Sequence, residues 1–69
     1  MEHPNLDGMV PEDLLAYNQD LNNPAPLREY AQIKAAAMVM RAAGDIRAAQ
    51  RWEDILEDLY DLLPQEMRW

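Results

Sequence analysis

Residues 43–64, AGDIRAAQRWEDILEDLYDLLP, decide the fold. The stretch opens on Gly44, the residue type that most readily takes the left-handed conformation that ends a helix. Asp45 follows and is a good N-cap. Pro64 closes the run, because its ring and missing N–H prevent a helix from continuing. Between these signals Ala48, Ala49, Trp52, Ile55, Leu56, Leu59, Tyr60, Leu62 and Leu63 fill an arc of roughly 160° on a helical wheel. Arg47, Gln50, Arg51, Glu53, Asp54, Glu57, Asp58 and Asp61 take most of the remainder. The spacing predicts an amphipathic helix over about 46–63, with one face on a core and the other in water.

Upstream of Gly44 the chain predicts a second helix over about 26–43, rich in alanine, the best helix former. It is apolar on two sides. Tyr30, Ile33, Ala37 and Met40 make one face, and Ala31, Ala35, Met38 and Ala42 make the other. Such a helix is central, with either two neighbours in its own chain or one neighbour and a second protomer. The second arrangement is preferred, because small residues let two helices approach closely. Ala31, Ala35, Met38 and Ala42 are therefore the candidate interface, with Lys34 and Arg41 placed to pair with carboxylates of another copy. The short Ala43-Gly44-Asp45 turn makes the last two helices an antiparallel hairpin. That geometry sets Arg28 and Lys34 near Asp58 and Asp61.

Further upstream, Pro11 suits a first helical turn, with Glu12 and Asp13 favourable at its positive end. Leu14, Tyr17 and Leu21 form one stripe, which predicts a first helix over about 11–21. The segment Asn22-Asn23-Pro24-Ala25-Pro26 reads as a turn in which Asn23 caps the next helix. Residues 1–10, with Pro4, Asn5, Asp7 and Gly8, read as an extended lead-in to a single small helical domain over 11–69. The fold class expected is all-α, three helices ending in a long antiparallel hairpin.

Composition narrows the function. Among 69 residues there are 13 acidic and 6 basic side chains, for a formal charge of -7. Phosphate-backbone affinity comes mainly from Lys and Arg, so direct nucleic-acid binding is not expected. The chain has no Ser, Thr or Cys, and its one histidine, His3, stands alone near the start. Apart from three Tyr, hydroxyl and thiol nucleophiles are absent, disulfides and thiolate metal sites are excluded, and two glycines cannot build a phosphate loop. No catalytic residue, cofactor or metal is expected. No secretory signal is visible in the opening residues, and no apolar run approaches a membrane span, so a cytoplasmic location is expected.

The row Glu53, Asp54, Glu57, Asp58 and Asp61 has the spacing for two uses. Glu53, Glu57 and Asp61 lie within reach of one divalent ion, although oxygen-rich sites usually draw on loops or several elements. The spacing also permits, without specifying, mimicry of a nucleic-acid phosphate row, so an acidic inhibitor or decoy blocking a basic site on another protein is the alternative function. A solvated face is the simpler expectation. Trp52 and Tyr60 sit on the apolar arc and read as core, whereas Trp69, beyond the Pro64 break, either folds back as a lid or anchors a partner.

Ile33, Ala37 and Met40, followed by Gly44-Asp45 and Ala49, reproduce a bulky residue, a small one four later, a large one three further, glycine-acidic at the turn and alanine five past the glycine. On these residues the stretch 30–64 resembles a single tetratricopeptide unit. It departs from that family at Ala36, where a bulky residue is usual, and in placing Pro64 about one turn late. The resemblance implies a protein-binding scaffold. Size points the same way, since a domain this short hides only about 60 % of its unfolded surface and has no disulfide to brace it. The expected function is a non-enzymatic protein–protein interaction module, a homodimer or a small subunit docked on a larger protein.

Overall fold

Gly44 sits at φ +86° and stops the central helix of the molecule. Its N–H donates to the Arg41 carbonyl at 3.1 Å, and the Asp45 N–H donates to the Met40 carbonyl at 3.0 Å. These two bonds satisfy carbonyls that the helix end leaves without partners. Asp45 then starts the next helix, its Oδ1 accepting from the Ala48 N–H at 3.1 Å. Two consecutive residues thus end one helix and begin another.

The computed structural model describes residues 5–69. Three helices, α1 (Pro11–Gln19), α2 (Ala25–Ala42) and α3 (Ile46–Leu62), are flanked by 3-10 turns at Leu6–Gly8 and Gln65–Met67. Among the described residues there is no strand, and the fold is all-α. α2 packs against α1 and also against α3, while α1 and α3 scarcely meet. Each of the three helices lies where the periodicity places it, with ends one or two residues different.

The two neighbours of α2 therefore both come from its own chain. Ala31 and Ala35 are buried in the core with Leu14, Leu27, Tyr30, Ala37, Leu56 and Leu63. This corrects the expected interface on α2. Ala31 and Ala35 are taken up inside the molecule, Met38 is half-buried against the core, and only Ala42 of that face is exposed. Alternation of small residues permits close packing, but it does not say whose helix approaches.

Other corrections are local. α1 ends at Gln19, since the Asp20 N–H turns back to the Tyr17 carbonyl at 3.3 Å. Asp20 Oδ1 then accepts from the Asn22 N–H at 3.0 Å, a side-chain turn that competes with helix. Leu21 accordingly leaves the stripe and stands 81 % exposed. Asn23 does not cap α2, whose N-cap is Pro24; its side-chain amide donates to the Tyr17 carbonyl at 2.9 Å and so closes α1 instead. Arg28 Nε donates to the Asn23 carbonyl at 3.0 Å rather than reaching the acidic residues of α3.

The lead-in is also more than an extended arm. Asn5 Oδ1 accepts from the Asp7 N–H at 3.0 Å and opens the 3-10 turn that carries Leu6. Leu6 is fully buried, as are Leu14 of α1 and Leu27 of α2. Burying a leucine contributes roughly 1.5–3 kcal/mol, so this short segment belongs to the domain rather than preceding it. At the other end the Gln65–Met67 turn brings the chain back along α3. Arg68 there donates to the carbonyls of Asp61, at 2.8 Å, and Leu63, at 3.2 Å, filling acceptors that α3 leaves open at its end.

Candidate functional site

Two surface features stand out, one polar and one apolar. The polar one lies where the lead-in, α2, α3 and Trp69 converge, around a groove of about 640 Å³. Asp7 is its hub. The Tyr30 hydroxyl donates to Asp7 Oδ1 at 2.7 Å, Trp69 Nε1 donates to Oδ2 at 3.1 Å, and Lys34 Nζ stands 3.6 Å from Oδ1. Tyr30, Tyr60 and Trp69 meet edge to face, with centroids 4.9 to 6.4 Å apart. The Tyr60 hydroxyl donates to the Trp69 backbone oxygen. Such mutual contact fills the space between the rings, so they form a packed trio rather than an open cage. Trp69 is thus half-buried on its own chain, the folded-back arrangement of the two expected for it.

Glu53, Glu57 and Asp61 line the same groove opposite Lys34. The five acidic residues of α3 do not act as one row. Glu53 is gripped by Arg41 through a bidentate pair, Nη2 to Oε1 at 2.7 Å and Nε to Oε2 at 3.1 Å. That contact holds the Glu53 carboxyl below the usual range and the Arg41 guanidinium above its own. Asp54, Glu57, Asp58 and Asp61 are exposed. Among the described residues no group of three or more His, Cys, Asp or Glu is placed to hold a metal ion; His3 lies outside them. Burial, and then the bond to Asp7, push the Tyr30 hydroxyl well above the ordinary tyrosine value. Burial, and then the charge of Asp20, raise Tyr17 too.

The apolar feature is the outer side of α3. Only Ala49 and Leu56 of this helix, with Leu63 just past its end, are buried. Ala48, Trp52, Ile55, Leu59 and Leu62 form a second seam, spaced four, three, four and three residues apart. Trp52 and Leu59 are half-buried, Ile55 is 42 % exposed and Leu62 78 % exposed. A depression of about 260 Å³ lies among Ala48, Arg51, Trp52 and Ile55. Another of about 310 Å³ is bounded by Ala25, Pro26, Glu29, Leu59, Leu62 and Leu63. The sequence carried a signal for this second seam. An arc of roughly 160° exceeds the stripe of about 100° that faces a single core, and α3 has only α2 beside it.

Among the described residues no helix is long and apolar enough to cross a membrane. No family model matches the chain, and no curated protein and no solved structure matches it either.

Proposed function

We propose that the protein is a non-enzymatic interaction module whose working surface is the outer seam of α3. One observation carries this: Trp52, Ile55, Leu59 and Leu62 run along one line of α3, with Ile55 and Leu62 open to solvent and Trp52 and Leu59 only half covered by the chain's own core. Contiguous apolar surface rimmed by polar residues is characteristic of protein-docking faces, and aromatic residues such as Trp52 are frequent anchors there. The ionisable groups support the same view. Tyr17, Tyr30 and Arg41 are shifted upward and Glu53 downward, each away from neutrality. General acid–base catalysis favours the opposite, a group tuned toward the working pH. The likeness of residues 30–64 to a tetratricopeptide unit, a hairpin used for holding other proteins, agrees with this role.

The test is in-cell cross-linking from α3. A photo-activatable residue placed at Leu62, in the cells that produce the chain, is expected to give a discrete cross-linked species, with itself or with another protein. Ile55→Asp in the same chain should remove that species while circular dichroism shows the helices intact. Absence of any specific cross-link from this face overturns the proposal.

A further inference from the structure

We infer that the occupant of the α3 seam is a second copy of this chain, its own α3 running antiparallel to the first. The inference rests on the reading of this face as a docking surface, and the distribution of charge selects the partner. Beside the seam, on the side away from α2, the exposed residues are basic at the start of the helix, Arg47 and Arg51, and acidic further on, Asp54 and Asp58. Ile55 lies at the middle of the seam. If two such helices cross there in opposite directions, Arg51 meets Asp58 of the second copy. The midpoint of this pair, residue 54.5, nearly coincides with the seam's own centre at 55. The apolar residues obey the same symmetry. Ala48 faces Leu62 and Trp52 faces Leu59, so a small side chain meets a large one at both ends, and Ile55 meets itself.

A two-fold axis doubles the pair, giving two attractive contacts from one residue combination. In a parallel crossing the same flank of each helix falls on opposite sides of the pair, so Arg51 and Asp58 do not meet. A seam spaced four and three residues apart is also what interlocking helices require, and the preference for one direction follows from the flanking charges. Asp54 is the like-charge contact nearest the axis, and it sits within one turn of Arg51 of the other copy. The seam runs only from residue 48 to residue 62, 14 helical steps or roughly 21 Å at 1.5 Å per residue. Such an interface lies at the small end of specific ones, so association in the micromolar range is expected.

Sedimentation equilibrium of the intact chain, from micromolar to millimolar concentration, tests this directly. The expected result is a reversible monomer–dimer equilibrium. Arg51→Glu alone, or Asp58→Arg alone, should weaken dimerisation about tenfold or more by turning two attractions into repulsions. The double variant carrying both changes should recover the original affinity. Circular dichroism melts of all three check that the monomer fold persists, as the exposure of both positions leads one to expect. A chain that stays monomeric at millimolar concentration overturns the inference, and so does a dimer indifferent to the single reversals. Failure here is separable from failure of the docking surface itself. A monomeric chain that still cross-links to another protein through Leu62 removes self-pairing and leaves the surface standing; a chain that does neither removes both.

Discussion

The two ends of the α2–α3 hairpin are held by different physics. At the turn end, Gly44 and Asp45 satisfy backbone groups of residues no more than five positions away. The surrounding residues are exposed, and Arg41–Glu53 is a surface pair. At the open end, Asp7 is bonded to Tyr30 and to Trp69, 62 residues further along the sequence. Leu6 is sunk in the core there, and three aromatic rings lock against one another. The contrast teaches that a short chain without disulfides closes its domain by tying its distant segments together, while the turn supplies direction. Local bonds fix where helices begin and end; distant ones fix whether the set of helices is a unit.

Substitutions at the two ends break or sharpen that contrast. The largest effect is expected from Leu6→Ala, which leaves a cavity at a fully buried site. A loss of about 2–5 kcal/mol in urea denaturation is expected, with the whole domain unfolding in one transition. If instead the loss is below that of the turn variants, the lead-in is an appendage and the contrast fails. Next comes Gly44→Ala. Nothing lies within 4 Å of the added Cβ, so the penalty is the left-handed backbone alone, about 1–2 kcal/mol. A thermal melt should show it as a lower midpoint with unchanged helix content.

Tyr30→Phe should cost about 1 kcal/mol at neutral pH by removing one hydrogen bond, while Asp7 keeps Trp69 and Lys34. Its sharper signature is in alkali. The folded-state value of Tyr30 is raised above its ordinary 10.0. The contribution is therefore complete below that ordinary value and is lost as pH rises from there through the higher folded value. The original chain should lose stability above about pH 10, and Tyr30→Phe should flatten that limb. The smallest effect belongs to Glu53→Gln at the turn end. The Glu53 carboxyl is held low by Arg41, so its contribution is present above the ordinary glutamate range and fades as pH falls through the lower folded value. Acid titration of stability should be slightly shallower in the variant, and added salt should erase the difference.

Much of this was legible in the residues because it is local. A glycine before an aspartate, a proline after a long apolar arc and an alanine-rich run each act within one or two helical turns. The three helices and the hairpin follow from them. The acidic row was legible too, but the pairing of Arg41 with Glu53 depends on helix register, which composition does not specify.

What the sequence by itself determined is thus the menu of elements: three helices, the Gly44–Asp45 turn that ends one and caps the next, and the wide apolar arc of α3. Only the tertiary structure decided which surfaces were used up. It seated α2 between two helices of its own chain, drew Leu6 and Trp69 inward, and left Ile55 and Leu62 on the outer side of α3 open. The physical reason is that burial is blind to the origin of the covering atoms. Periodicity states that a face wants to leave water, and only three-dimensional packing states what has already covered it.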